Sequence, residues 1–370
     1  MNSPGLYVHI PFCRSKCPYC AFFSIASTSL VPRWLDAFKK EVSCYKDRFN
    51  SFDSLYLGGG TPTVLGSEAL ASVMDVLFTH FTFESDPEIT IEANPCDLTQ
   101  EKIRELKDIG FNRFSLGVQS FDDRMLSFLG RRHTVLQAEQ AIENLKSYGI
   151  ENISIDLIYG FEGQQINEWM KTLRRALSFR PEHLSCYQLT VEKKTHFGRL
   201  RDRGLLRPLS EKEESDIFLA TSQFLSDNGY IHYEISSFAR KKIYYSRHNS
   251  KYWQHAPYLG LGPSAHSFDG SRRWWNVRSV RKYCDALEKG RTPVEDSECL
   301  TDDQLRFESI MLGLRTADGL NQDAIIDNHQ SGRMLHGLQD AGFLRVENGR
   351  VVPTRKGFLV ADYLASCLGG

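Results

Sequence analysis

Residues 6–20 read Leu6-Tyr7-Val8-His9-Ile10-Pro11-Phe12-Cys13-Arg14-Ser15-Lys16-Cys17-Pro18-Tyr19-Cys20. The short apolar run Leu6–Ile10 reads as a strand that a proline ends, and three cysteines spaced C-x3-C-x2-C crowd the loop behind it. A zinc site wants four ligands from two separated knuckles, and no second C-x2-C occurs in the chain. Three thiolates on one tight loop can instead ligate three irons of a [4Fe–4S] cluster, leaving the fourth iron open to a non-protein ligand. The plainer alternative, three unrelated surface thiols, would be a redox liability at such close packing. Cys44, Cys96, Cys186, Cys284, Cys299 and Cys367 are scattered singly, as buried thiols in a reducing compartment are. A secreted disulfide scaffold would be shorter and evenly studded.

Outward from this loop, apolar runs alternate with amphipathic stretches up to about residue 190. Strands are expected over Leu6–Ile10, Ser54–Leu57, Glu88–Glu92, Arg113–Val118, Ile153–Ile158 and His183–Leu189. Helices are expected over Pro32–Asn50, Ser67–Phe81, Thr99–Ile109, Thr134–Tyr148 and Gln165–Phe179, with Thr99 as an N-cap and Gly110 and Gly149 as stops. Repeated βαβ units make a parallel sheet, and six are too few for a closed eight-stranded barrel. Beyond it, 193–208 reads as a connecting loop, Ser210–Asn228 as a helix, Tyr230–Phe238 as a strand and 239–276 as irregular, aromatic and basic. Helices from Thr301 lead to Phe343–Val352, with a hairpin turn at Glu347-Asn348-Gly349, and a helix over Arg355–Leu368 closes the chain. The expected fold is α/β: a partial (β/α)6 barrel over 1–190, an extension over 191–300 and a mainly helical, winged-helix-like module over 301–370. Ligands of such sheets collect beyond the C-terminal strand ends.

The 370 residues carry 45 Lys and Arg against 46 Asp and Glu, a net charge of −1 that argues against a nucleic-acid-binding balance. A 41% hydrophobic and 12% aromatic content excludes disorder. No run approaches the roughly 18 apolar residues of a spanning helix, and the N-terminus lacks a secretory apolar region, so a cytoplasmic location is expected.

At the cysteine loop the chain resembles the radical S-adenosylmethionine (SAM) superfamily, whose members share this spacing and the aromatic before the last cysteine, here Tyr19. The resemblance implies a cluster on Cys13, Cys17 and Cys20, SAM on the open iron, and reductive cleavage of SAM to a 5′-deoxyadenosyl radical. Further segments extend the likeness: Gly58-Gly59-Gly60-Thr61-Pro62-Thr63 after the second strand, Glu92 ending the third, Gly117-Val-Gln119-Ser-Phe121, Gly130-Arg131, and Asp156-Leu-Ile-Tyr-Gly160. Glycines let a backbone approach a ligand, carboxylates suit ribose hydroxyls, and an arginine suits the SAM carboxylate. Taken singly, each reads as readily as a turn or a solvated side chain. Together, with Tyr7-Val-His9-Ile-Pro-Phe-Cys13, they resemble the family of oxygen-independent coproporphyrinogen III oxidase and its relatives over about residues 5–370. By motif, Tyr7, Tyr19, Gly59, Gly60, Thr61, Glu92, Gln119, Arg131 and Asp156 would line the SAM site. Phe161-Glu162 departs from the family's usual Leu-Pro after this last motif.

Two departures point within that family to its shorter, heme-chaperone branch. Phe22 stands where the oxidases usually carry a fourth cysteine, and twelve residues precede Cys13 where they carry a longer leader. His248-Asn249-Ser250-Lys251-Tyr252-Trp253 matches the HNxxYW signature of that branch, which implies heme binding and delivery to an apo-hemoprotein, of the respiratory chain among others. His248 would supply an axial nitrogen, Tyr252 and Trp253 flat faces, and Arg247, Lys251, Lys241 and Lys242 charges for the propionates, with His266 a secondary ligand. The alternative is an aromatic cluster packed at a domain junction. Radical decarboxylation of coproporphyrinogen propionates is the competing function. An RNA-modifying enzyme is a second one, since Ala239–His255 interleaves basic and aromatic residues. The sequence leaves SAM cleavage, the heme's recipient and a homodimer open.

Overall fold

The computed structural model describes residues 3–325 and 329–369. Six strands, β1 (Gly5–Ile10), β2 (Phe52–Gly59), β3 (Phe83–Ala93), β4 (Arg113–Gln119), β5 (Ile153–Tyr159) and β6 (His183–Gln188), lie side by side in chain order, all parallel. Between them run α1 (Val31–Cys44), α2 (Ser67–His80), α3 (Gln100–Ile109), α4 (Asp123–Phe128), α5 (Val135–Ser147) and α6 (Ile166–Ser178). Local signals set the helix ends. Thr99 accepts the Lys102 N–H at 3.1 Å and Gly110 stops α3 at φ 110°. Thr134 and Gln137 form a capping box that starts α5. The expected partial (β/α)6 barrel is therefore present. Helix α1 ends earlier than its expected Asn50, because the chain turns at Tyr45, whose ring stacks on Trp274 at 6.2 Å.

Strand alternation divides the sheet into two faces. Leu6, Val8, Leu55, Leu57, Ile91, Phe114, Leu116, Ile153 and Ile155 are fully buried in the large core beneath the helices. Burying each such side chain contributes about 1.5–3 kcal/mol. Register places the intervening polar residues together on the concave side: Tyr7 beside Tyr56, Ser54 beside Glu88, Thr90 beside Arg113, and Ser154 beside His183. The barrel lumen is thus polar.

Residues after 190 extend this same sheet. The connection 193–208, expected as a loop, folds α7 (His196–Asp202), because Thr195 caps it and Phe197 packs on Phe128 at 4.9 Å. Helix α8 (Glu211–Asp227) starts at a Ser210–Glu213 capping box. The single strand expected over Tyr230–Phe238 is a hairpin, β7 (Ile231–Glu234) and β8 (Ser237–Ala239), which reverses where Glu234 accepts the Ser236 N–H at 3.0 Å. Residues 239–276, expected to be irregular, hold α9 (Arg247–Trp253) and β9 (Tyr258–Leu261), β10 (His266–Phe268) and β11 (Arg272–Asn276). Strands of three to five residues leave too little periodicity to read. Strand β9 pairs parallel to β1; β10, β11 and, after α10 (Val280–Glu288), β12 (Val294–Cys299) continue antiparallel, so one sheet holds twelve strands. The C-terminal module has its own small core around Ile310, Leu314, Leu335, Leu344, Val351 and Leu364. It comprises α11 (Asp302–Gly313), β13 (Leu320–Asn321), α12 (His329–Asp340), the wing β14 (Leu344–Glu347) and β15 (Arg350–Pro353), then α13 (Arg355–Leu359) and α14 (Ala361–Leu368). The last two were expected as one helix, which Val360 interrupts at φ −123°. Among the described residues no helix is long and apolar enough to cross a membrane.

Candidate functional site

The cysteine loop leaves the C-terminal end of β1 and is held by backbone on both sides. Cys13 donates to Ile25 O at 3.0 Å, and Gly60 and Thr61 donate to Ile10 O and Phe12 O, each at 2.8 Å. A Cβ at Gly60 would lie 2.6 Å from Phe12 O, so only glycine lets the two loops meet so closely. From the far side the Phe197 N–H of α7 donates to Pro18 O at 3.0 Å. All nine cysteines are free thiols. Cys13, Cys17 and Cys20 share the wall of one cavity of about 500 Å³ at the C-terminal strand ends. Among the described residues no three His, Cys, Asp or Glu side chains converge on a point that would hold a single metal ion. The thiols instead face a shared space, which suits a group whose irons are separate atoms.

Tyr19, Gly59, Gly60, Thr61, Glu92, Gln119, Arg131 and Asp156 line the same cavity as the cysteines. Tyr7 does not; it lies one layer down in the lumen, 3.0 Å from His9 Nδ1, with its ring beside Tyr56. Glu92 accepts from the Tyr56 hydroxyl at 2.9 Å and the Gly59 N–H at 3.1 Å, and burial pushes its pKa up to about 7. Asp156 accepts from Ser115 at 2.7 Å and Ser154 at 3.0 Å, and burial raises its pKa too. The Arg131 guanidinium donates to Gly117 O at 2.8 Å and to Cys17 Sγ at 3.4 Å. Its buried Nε has no partner. Gln119 holds φ 67°, a left-handed conformation that a non-glycine residue adopts only under constraint. An arginine, two carboxylates and a glycine turn on one cavity wall are groups that could hold the carboxylate, hydroxyls and ammonium of an amino-acid nucleoside. The motifs did not single out Tyr56, Ser115, Ser154 or Tyr187. The signal that would have found them is the recurrence of polar residues at alternate positions, as in Ser54 and Tyr56, Arg113 and Ser115, Ser154 and Asp156, and Ser185 and Tyr187.

The HNSKYW segment is elsewhere. It forms α9, whose first N–H groups, from Arg247 and His248, donate to Glu88 at 3.0 and 3.1 Å across the N-terminal end of the lumen. His248 is 1% exposed. Its Nε2 meets Tyr252 Oη at 3.0 Å and its Nδ1 meets Ser54 Oγ at 3.3 Å, while the ring stacks on Tyr56 at 5.3 Å. Burial pulls its pKa down to about 3, so the ring is neutral. Lys251 is buried against Asp53, and Arg247 donates to Asp86 O at 2.6 Å. Both His248 ring nitrogens and the Lys251 ammonium are thus engaged inside the protein, whereas the half-buried Arg247 guanidinium donates only to backbone carbonyls. Trp253 lines a second cavity of about 410 Å³, with Tyr233, Tyr245 and His255. Lys241, Lys242 and His266 are exposed, the last stacked on Trp275 at 5.8 Å.

Against known proteins, residues 7–176 match the Radical SAM superfamily and residues 300–360 the HemN C-terminal domain. The chain is similar to heme chaperone HemW of Bacillus subtilis, 35% identical over 336 residues that cover 90% of this chain and 88% of that protein. The chain belongs to the HemW family. Its similarity to heme chaperone HemW of Lactococcus lactis is 33%, over 95% of this chain and 93% of the relative. For that of Escherichia coli it is 36%, over 71% and 69%. Among solved structures, coproporphyrinogen III oxidase (HemN) of Escherichia coli shares the fold at a TM-score of 0.85 and 24% identity, covering 99% of this chain and 90% of that one. Within this HemW-family chain, Phe22 lies at the cavity rim, its ring 69% exposed and turned away from any core. Ala21 O beside it accepts from Arg278 at 2.7 Å.

Proposed function

We propose that this chain binds heme and hands it to apo-hemoproteins, carrying a [4Fe–4S] cluster on Cys13, Cys17 and Cys20 and SAM in the adjoining cavity. The observation that carries the reading is the similarity of nearly the whole chain to proteins described as heme chaperones, and Phe22 at the cavity rim agrees with it, standing where the resemblance to the oxidases leads one to expect a fourth cysteine. When bound, the cluster and SAM supply an electron-transfer centre. The chain's own residues then have separate tasks. Arg131, on the cavity wall, offers its guanidinium to a carboxylate. Glu92 and Asp156 present acceptors held in place by Tyr56, Ser115 and Ser154. Gly59 and Gly60 keep backbone close to the ligand. Heme in this reading is cargo, and His248 serves the barrel floor rather than the iron. In the strip 239–255, Lys251 is buried against Asp53, while Arg240, Lys241 and Lys242 stay exposed.

The test is anaerobic incubation of the cluster-reconstituted protein with coproporphyrinogen III, SAM and a reductant, with heme titrated in the same preparation. A heme-dependent absorbance change without protoporphyrinogen is expected. Catalytic formation of protoporphyrinogen would establish the oxidase instead.

A further inference from the structure

One hydrogen-bonded chain crosses the barrel lumen, and only its last member, Asp156, belongs to a motif. The Ser246 N–H, at the cap of α9, donates to Tyr233 Oη at 3.2 Å. Tyr233 Oη lies 2.8 Å from His183 Nε2, His183 Nδ1 lies 2.8 Å from Ser154 Oγ, and Ser154 Oγ lies 3.0 Å from Asp156 Oδ1. Its internal members are buried: Ser246 0%, Tyr233 5%, His183 1% and Ser154 0% exposed. Burial pulls the His183 pKa well below its ordinary value, so the ring is neutral and carries one N–H.

One assignment of hydrogens satisfies every member between the two ends, with Ser237 beside Tyr233 and Ser185 Oγ 3.4 Å from Ser154 Oγ as side branches. A backbone N–H can only donate, so Tyr233 Oη is an acceptor there, and its own proton goes to His183 Nε2. That nitrogen is therefore bare, which puts the ring's proton on Nδ1, aimed at Ser154. Ser154 thus accepts from His183 and turns its hydroxyl hydrogen to Asp156, which as a carboxylate only accepts. The opposite tautomer would turn the Tyr233 proton away from His183 toward Ser237 and take the Ser154 hydroxyl hydrogen from Asp156 to His183 Nδ1. The charge-assisted bond from Ser154 to Asp156 favours the first arrangement.

We propose that His183 and Tyr233 are positioning residues of the SAM cavity, holding the Ser154 hydroxyl on Asp156 and tying that carboxylate to the seating of the HNSKYW helix. This rests on the assignment of the cavity to SAM. The chain gives the HNSKYW helix a route to the cavity that needs no contact between its side chains and a ligand. A second route runs beside it, from His248 through the Tyr56 ring to Glu92.

The test has two readouts on the full-length, cluster-reconstituted protein. In 15N-histidine-labelled protein, with the signal assigned by His183→Gln, long-range proton–nitrogen spectra should show Nδ1 protonated and Nε2 bare. An Nε2–H tautomer or an imidazolium overturns the proposal whether or not SAM binds. SAM affinity should then fall about tenfold in Ser154→Ala, the loss of one hydrogen bond to a charged group. Tyr233→Phe should weaken SAM severalfold in the parent chain and have no effect when Ser154→Ala has already cut the chain. Equal effects in both backgrounds, or none in either, refute the relay. Cluster absorbance and the melting midpoint report on folding, and if Tyr233→Phe does not fold, the tautomer decides alone. A wild-type protein that binds no SAM refutes the assignment of the cavity, while the tautomer still decides the relay.

Discussion

His248→Ala separates a buried brace from an axial ligand. In the fold the imidazole fills a slot closed by Gly5, where a Cβ would come within 2.9 Å of Nδ1. Its removal empties a space between the Tyr7 and Tyr56 rings, 6.1 and 5.3 Å from it. Truncating a tightly packed buried ring costs about 2–4 kcal/mol. The Tyr252 hydroxyl, 3.0 Å from Nε2, loses its partner, which adds about 1–2 kcal/mol. The expected total is about 4 kcal/mol, or a melting midpoint lowered by about 5 °C for a chain of this size. Thermal and denaturant unfolding measured beside a heme titration check it. A variant that keeps its melting midpoint yet loses the heme-dependent spectrum would refute the reasoning, because a ligand that costs nothing to remove is not part of the floor.

Three other expectations follow from the same geometry. Lys251→Ala strands the buried Asp53 carboxylate and should cost about 3 kcal/mol in denaturant unfolding, whereas a lysine reserved for propionates would be silent. Glu41, fully buried among the Gly262 N–H, Asn276 and Tyr283, ionises at about 7 in the fold against 4.5 ordinarily, because burial outweighs those donors. The native state then holds the extra proton between those values, so stability should fall by about 3 kcal/mol as pH rises from 4.5 to 7, and Glu41→Gln should abolish that increment. Replacing Cys13, Cys17 or Cys20 singly with alanine should remove the visible absorbance and bound iron of reconstituted protein, while Cys44→Ala, at an exposed thiol, should leave both intact.

Much of the barrel was legible because its signals are local. Apolar positions recur at strand and helix periods, and Thr99, Thr134 and Ser210 cap helices with their own side chains. The cysteine loop and the glycine turn were legible for the same reason: each is a run of neighbours whose chemistry follows from spacing. The region after residue 190 was less so. Its strands are short, and part of the aromatic and basic strip is spent on packing, with Lys251 against Asp53 and His248 against Tyr56, while Lys241 and Lys242 stay exposed.

By itself, then, the sequence determined a six-unit α/β barrel, a three-cysteine loop at its strand ends and the glycine, carboxylate and arginine motifs that gather round one cavity. Tertiary structure alone decided the fate of HNSKYW. A motif states which side chains are present, not which way they face, and here the helix lies across the lumen's N-terminal end, opposite the cysteines. It also decided that polar residues from six separate strands stack into one column, since only parallel register brings Ser154 within hydrogen-bond reach of His183. Such contacts join residues far apart in the chain, and no window of sequence contains both partners.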